Sequence, residues 1–414
     1  MVDLCDLLNW ESVGTFLNPP TTQPLFPNLR YLRASGLTEI KIKHFLCMPF
    51  PSLISLEVGY QREDASSRLQ GSLESFSKFS PNLRRLTLDM HQLDITFINF
   101  FSSYICRWQD LHTVHCDRVP LDMDALAHLS RMPALTRLRC MPSDTFPPFD
   151  SPIFLANLHD LSLYSESLDP ISQLLSRVRL PVIVRFMAQV NCRPSNHAFS
   201  LFLASVQASV IGNTIQALKF EDVDVSGMDD EEDTEDDPRP GLGFEDLQPY
   251  MAFSNLRRID LELSWDVCLT DNELLTLTSA WPHLEQIFIN EEQGWGMVSG
   301  ITPNGLLHLL HKCRSLREIA LTINTHGYTE FCESRASLGS TLPSIFYIDV
   351  LESHIEAESV PAIAAFLAAI APRPNFFFYA HDGLHGRRKD DDSKALWHEA
   401  YRRANLALTG SHRS

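Results

Sequence analysis

The chain has 414 residues, 44% of them hydrophobic and 21% charged, with a formal net charge of −18. This is an ordinary composition for a folded protein. The acidic balance argues against generic binding to DNA or RNA, which needs Lys and Arg to displace counterions from phosphate, and against an anionic membrane surface. The nine cysteines are odd in number, far apart and without a Cys-x-x-Cys pair. Reduced thiols of a cytoplasmic or nuclear protein are therefore expected, not a disulfide framework or a zinc module. Met1-Val2-Asp3-Leu4-Cys5-Asp6 lacks the basic and apolar segments of a signal peptide. No apolar run reaches the roughly 18 residues that span a membrane.

Residues 1–24 read as an N-terminal cap. A unit then starts to recur. Pro27-Asn28-Leu29-Arg30-Tyr31-Leu32 returns as Pro81-Asn82-Leu83-Arg84-Arg85-Leu86-Thr87-Leu88, Ser254-Asn255-Leu256-Arg257-Arg258-Ile259-Asp260-Leu261 and Pro282-His283-Leu284-Glu285-Gln286-Ile287-Phe288-Ile289. Its first leucine-type residues are Leu29, Leu53, Leu83, Leu111, Leu135, Leu158, Ile215, Leu256, Leu284, Leu316 and Ile345, most steps being 23 to 32 residues. The gap between Leu158 and Ile215 has room for a degenerate unit around Ile183 and Phe186. A period of this size means a stacked solenoid. In each Leu-x-Leu portion, alternate residues point to opposite faces of a strand. Leu86 and Leu88 face inward, while Arg85, Thr87 and Asp89 face outward.

Between strands the pattern becomes helical. Asp122 caps a helix over 123–130. Asp169-Pro170 opens another that buries Ile171, Leu174 and Leu175. Thr270-Asp271-Asn272-Glu273 is a capping box, and Thr302-Pro303 is a cap followed by proline at the first helical position. An acidic insertion occupies 226–243. Pro361 to Ile370 reads as the last outer helix, and residues 356–414 as a helical cap and tail. There Leu396, Trp397, Ala400, Tyr401, Ala404 and Leu408 close the ladder, with Gly383 to Ser393 a solvated hinge. The fold expected over 25–355 is an α/β solenoid with a parallel sheet lining the inside of an arc and helices outside.

These units resemble leucine-rich repeats of the longer, helix-containing kind, in a horseshoe. Trp281-Pro282-His283-Leu284-Glu285 and Thr302-Pro303-Asn304-Gly305-Leu306-Leu307-His308-Leu309-Leu310 look like the fungal, mushroom-type F-box proteins with leucine-rich repeats. That resemblance implies substrate selection for a cullin-type ubiquitin ligase, the repeats holding the target and an amino-terminal F-box holding the ligase adaptor. Residues 1–26 show neither the Leu-Pro-x-Glu-like start nor the helical pattern of an F-box. The adaptor is thus expected as a partner only if such a segment precedes this sequence. The alternative is a free-standing scaffold or inhibitor.

The outward strand positions are the candidate protein-binding surface, on the concave face: Tyr31, Arg33, Arg85, His115, Arg137, Arg139, Tyr164, Arg258, Asp260, Phe288, Tyr347 and Asp349. Aromatics and arginines are the residue types that carry binding energy in protein interfaces. Asp222-x-Asp224-x-Ser226-Gly227 matches the opening of a calcium loop. Asp229 and Asp233 at the eighth and twelfth positions depart from that pattern, and a solvated acidic loop is expected. Thr234 is followed by Glu235, Asp236 and Asp237, the downstream acids that an acid-directed kinase reads. His112 and His115 point to opposite faces of one strand, and His308 and His311 lack a third ligand, so no metal or cofactor is expected. Cys116 and Cys140 stand at leucine positions and read as core. No Gly-x-Ser-x-Gly, P-loop or His-Glu-x-x-His signature occurs, and a non-catalytic protein is expected.

Overall fold

The recurring Pro-Asn-Leu-Arg phrase is a turn that feeds a strand. In the computed structural model, the Leu53 N–H donates to the Phe50 carbonyl (3.1 Å), Leu135 to Met132 (3.3 Å) and Leu284 to Trp281 (3.1 Å). Each is a four-residue turn with Pro51, Pro133 or Pro282 second, where a fixed φ and a missing N–H cost nothing. Both ends of these turns are buried: Phe50, Met132 and Trp281 before the proline, and the leucine that closes it. The structure describes residues 2–3, 24, 26–34, 49–60, 78, 80–90, 102, 105–143, 151–223, 241–331, 342–370, 376–380 and 392–411. The acidic insertion up to residue 240, Thr234 and most of the expected hinge lie outside them. The chain divides into two compact units, Met1–Ala188 with Ala208–Gly212, and Gln189–Gln207 with Asn213–Ser414.

The first unit contains β1 (Val2–Asp3), β2 (Tyr31–Ala34), β3 (Ser55–Tyr60), β4 (Arg85–Met90), β5 (Thr113–Leu121), α1 (Met123–Ser130), β6 (Arg137–Pro142), β7 (Ile153–Phe154), β8 (Asp160–Ser165), α2 (Leu168–Arg177), β9 (Val178–Arg179) and β10 (Arg185–Val190). Its main sheet runs β1-β2-β3-β4-β5-β6-β8-β10, while β7 and β9 pair apart. The pairs from β1 to β8 are parallel, with Leu32, Leu56, Leu86, Val114, Leu138 and Leu161 in one register row. None of these six is more than 3% exposed. A backbone ladder runs beside them: Ile54 N–H to Arg30 carbonyl, Arg84 to Ile54, His112 to Arg84, Thr136 to His112 and His159 to Thr136, all 2.7–3.0 Å. The degenerate unit is present as β10, with Ile183 and Phe186 buried. Cys116 and Cys140 are fully buried register partners, and burial pushes the Cys140 thiol up to about 12.

Asp122 caps α1, accepting from the Ala125 N–H at 2.9 Å. Helix α2 starts at Leu168, earlier than Asp169-Pro170 implied, and its cap residue Ser167 makes no side-chain bond. The physical reason is that first-turn N–H groups need no helical partner. Pro170 is therefore tolerated in the third helical position, and the earlier start puts Leu168, 2% exposed, into the core.

The second unit contains α3 (Asn196–Ser209), β11 (Ala217–Asp222), β12 (Gly241–Leu242), α4 (Phe244–Leu247), β13 (Arg258–Glu262), β14 (Asp266–Val267), α5 (Asp271–Ser279), β15 (Gln286–Ile289), α6 (Pro303–Lys312), β16 (Glu318–Ala320), β17 (Tyr347–Asp349), α7 (Val360–Ile370), β18 (Phe377–Tyr379) and α8 (Ser393–Ser411). Its main sheet runs β11-β13-β15-β16-β17-β18, every pair parallel. Leu218, Ile259, Ile287, Ile319, Ile348 and Phe378 form its inward row. Strand β18 adds a repeat that the leucine pattern does not announce. Helix α8 packs on it: Tyr401 stacks on Phe378 at 5.1 Å, and the Trp397 indole N–H donates to the Ser353 carbonyl (2.8 Å).

Helices α5 and α6 show why the outer layer stacks as regularly as the sheet. Thr270 and Glu273 form the expected capping box, and Thr302 caps α6. The Asp271 carboxylate also accepts from the Thr302 N–H and hydroxyl, both 2.7 Å, stitching one helix start to the next. Gly305 is required at that stitch, because a Cβ there would lie 1.7 Å from Asp271 Oδ1.

The register row predicts an asymmetry between neighbours on one strand. Ile287→Ala should cost about 2–5 kcal/mol of unfolding free energy, because Ile287 is buried between Ile259 and Ile319. Gln286→Ala, on the outward side of the same strand, should stay within about 0.5 kcal/mol. Urea denaturation of both variants checks this.

Candidate functional site

On the first unit's outward face, Tyr31, Ser55, Arg85, Thr113, Arg137 and Asp160 share one register row, and Arg33, Glu57, Thr87, His115, Arg139 and Ser162 the next. Arg33 pairs with Glu57 (3.0 Å) and Arg185 with Asp160 (2.5 Å). Arg139 is held more closely. Its Nε and Nη2 donate to the two Asp117 oxygens (3.1 and 2.6 Å), Nη2 also reaches the Tyr164 hydroxyl (2.5 Å), and its guanidinium carbon lies 5.0 Å from the Tyr164 ring centre. Tyr31, Arg85 and Arg137 are exposed. His115 has its proton affinity lowered by burial first and then by Arg139, with Arg137 and Arg85 adding to that against Asp117.

The second unit's strands lean acidic, with Glu221, Asp260, Glu262 and Glu318 against Lys219 and Arg258. Lys219 pairs with Asp260 (3.1 Å), and Arg258 is exposed beside them. Beyond β13, the outward positions of β15 to β18 hold Phe288, Tyr347, Phe377 and Tyr379. The Tyr347 ring lies 5.9 Å from Phe288 and 5.4 Å from Tyr379. Phe288 and Tyr347 stand on strands either side of β16, whose facing residue, Ala320, is fully buried. The Tyr347 hydroxyl donates to Glu291 (2.5 Å). Burial raises the Glu291 carboxyl above its ordinary range, and Asp349, Asp260 and Glu292 push it the same way against the Tyr347 hydrogen bond.

Of the twelve residues proposed from sequence, the structure places eleven with at least partial exposure on these outward strand positions. Asp349 differs, being 1% exposed. It accepts from the Leu351 N–H (2.8 Å) and so holds a turn in which Leu351 takes φ +51°, a conformation that L residues rarely adopt. Asp222, first residue of the calcium-like phrase, is likewise buried, accepting from the Ser264 N–H and hydroxyl.

Three contributors were missed from sequence. Tyr379 and Phe377 stand on β18, where Phe376-Phe377-Phe378-Tyr379 carries the inward-outward alternation without leucines. Glu291 follows β15 on a loop. A shallow depression of about 450 Å³, lined by Met251, Leu275, Thr276, Ser279 and Ala280 beside α5, has no titratable side chain.

Glu262 is 6% exposed and accepts from the Glu291 and Glu292 N–H groups at 2.7 and 3.1 Å. Burial, reinforced by Asp260 and Glu292 and opposed by those two hydrogen bonds, lifts its carboxyl to about 7. The folded chain therefore keeps this proton to a higher pH than the unfolded chain does. The linked stability is fully present below the unfolded value and is lost as pH rises through about 7. Glu262→Gln removes that dependence. Its unfolding free energy relative to wild type should rise between pH 5 and pH 8 by up to about 3 kcal/mol. Paired denaturation curves at the two pH values measure this.

No protein-family profile matches the chain, and no curated protein matches it. Solved structures do. An internalin from Listeria monocytogenes is 15% identical, with 86% of this chain and 81% of that one covered at a TM-score of 0.39. Rad7, in its yeast complex with Elc1, is 13% identical, with 85% and 79% covered at 0.33. The TLR13–ssRNA13 complex matches at 11%, with 80% and 50% covered at 0.33. At these values the fold assignment, an α/β leucine-rich-repeat solenoid, rests on the repeat phrase and the parallel register rows of this chain itself.

Proposed function

We propose that this chain is a non-catalytic protein-binding module, acting in the cytoplasm or nucleus, whose docking surface is the outward face of its strands. The observation that supports this is the rows themselves. Tyr31, Arg85 and Arg137 in the first unit, and Arg258, Phe288 and Tyr347 in the second, are the residue types that dominate interface energetics, held within each unit at the spacing of its own strands. Among the described residues no helix is long and apolar enough to cross a membrane. The finer reading is substrate recognition for a cullin-type ubiquitin ligase. It is supported by the resemblance of residues 281–285 and 302–310 to fungal F-box proteins with leucine-rich repeats. The competing reading is a scaffold or inhibitor with no ligase link.

The test is affinity capture from fungal extract with the full chain. The comparison is a strand-face variant, Arg85→Glu with Arg137→Glu, against an outer-helix variant, His308→Glu with Lys312→Glu. A specific partner should be recovered by wild type and by the helix variant and reduced at least tenfold by the strand-face variant. Recovery that ignores the strand-face changes contradicts the proposal. Recovery of a cullin and its adaptor together with that partner supports the ligase reading, and a partner recovered without them supports the scaffold.

A further inference from the structure

Within one face the chain already shows how it holds an arginine. Arg139 lies against the Tyr164 ring while Asp117 takes its guanidinium with both oxygens. A planar guanidinium can stack on a ring and fork onto a carboxylate at once, which an ammonium does not do. The same two kinds of group recur in the second unit. There Tyr347 stands between Phe288 and Tyr379, bonded to the Glu291 carboxylate, with Glu318 as its register neighbour. Tyr379 is 46% exposed and Phe377 beside it 61%. The outward positions of β15 to β18 hold four aromatic rings, the Glu318 carboxylate and the buried Asp349 that serves the Leu351 turn, and no cation. The nearest cation along the described strands is Arg258 on β13, register partner of Gln286 and three strands from Tyr347, and Lys219 one strand further is paired with Asp260.

We infer that this aromatic and acidic part of the strand face receives an arginine-bearing segment of a partner protein, the guanidinium resting on Tyr347 and Tyr379 and paired with Glu291. Two independent features support this occupant. Charge complementarity selects a cation, because Glu291 and Glu292, which follow β15, and Glu318 on β16 gather carboxylates at the rings, with no cation among the described outward positions of β15 to β18. The ring row then selects a cation that is flat. The inference rests on the strand face being a docking surface and adds the chemistry of what docks.

The test is selection of a displayed library of random twelve-residue peptides on the immobilised full chain, followed by fluorescence anisotropy with the recovered peptides. Arginine should be enriched at least threefold over the input library. Replacing that arginine by glutamine should weaken binding at least tenfold, and replacing it by lysine should weaken it severalfold. Tyr379→Ala and Glu291→Gln chains, both altered at accessible positions, should each lose at least tenfold, while His308→Ala, on the exposed side of outer helix α6, should bind as wild type does. Failure to recover binders, recovered peptides without arginine enrichment, or binding indifferent to Tyr379→Ala and Glu291→Gln overturns the inference. So does a dimer of the chain that Tyr379→Ala dissociates, since the face would then belong to a second copy. A partner that depends on the strand face in extract but shows no arginine preference leaves the docking surface standing and removes only the arginine.

Discussion

Parallel strands stacked in strict register impose the rest of this structure. One repeat contributes a strand of three to nine residues, too short to bury its leucines alone. Stacking supplies what is missing: Leu56 meets Leu32 and Leu86, and Ile287 meets Ile259 and Ile319, so each residue is covered by the repeats on either side. The carbonyl ladder through Arg30, Ile54, Arg84, His112 and Thr136 fixes the same register in the backbone. Once the register is set, the outward residues also stand in rows, about 4.8 Å apart. The outward rows are a by-product of the core: what holds the leucines in line also holds Arg85 in line in the first unit and Phe288 and Tyr347 in the second.

That geometry makes charge on the outward face a matter of rows rather than of single pairs. In the first unit, acids and bases alternate closely enough to satisfy one another, as Arg33 with Glu57 and Arg139 with Asp117 do. In the second, Glu262 and Glu291 lie among other carboxylates in partly buried ground, and their proton affinities are raised by burial first and then by those neighbours. A solvated surface relieves such repulsion by spreading its charges. Here β13 holds Glu262 in place, and the Tyr347 hydroxyl holds Glu291 on the loop after β15.

Much of this was legible in the sequence, for identifiable reasons. The Leu-x-x-Leu-x-Leu phrase reveals the strands because its spacing is strand spacing, and Thr270, Thr302 and Asp122 reveal helix starts because their side chains do the capping. The start of α2 was misplaced because Pro170 is tolerated inside a first turn. Strand β18 was missed because its inward residue Phe378, and the buried Phe376 just before it, are aromatic where the repeat has leucine. On the surface, alternation named which residues point outward but not which remain accessible. Asp349 obeys the alternation and is nevertheless buried, because it serves the Leu351 turn. Glu291 escaped because it lies on a loop, where no period applies.

The central claim is that inward residues of neighbouring repeats stabilise one another through the register rows. A double-mutant cycle measures this most directly, using Ile259→Ala with Ile287→Ala against Ile259→Ala with Ile348→Ala. The adjacent pair should show a coupling above about 0.5 kcal/mol, and the pair three strands apart should be additive to within about 0.5 kcal/mol. Equal coupling in both pairs, or none in the adjacent one, would contradict the account.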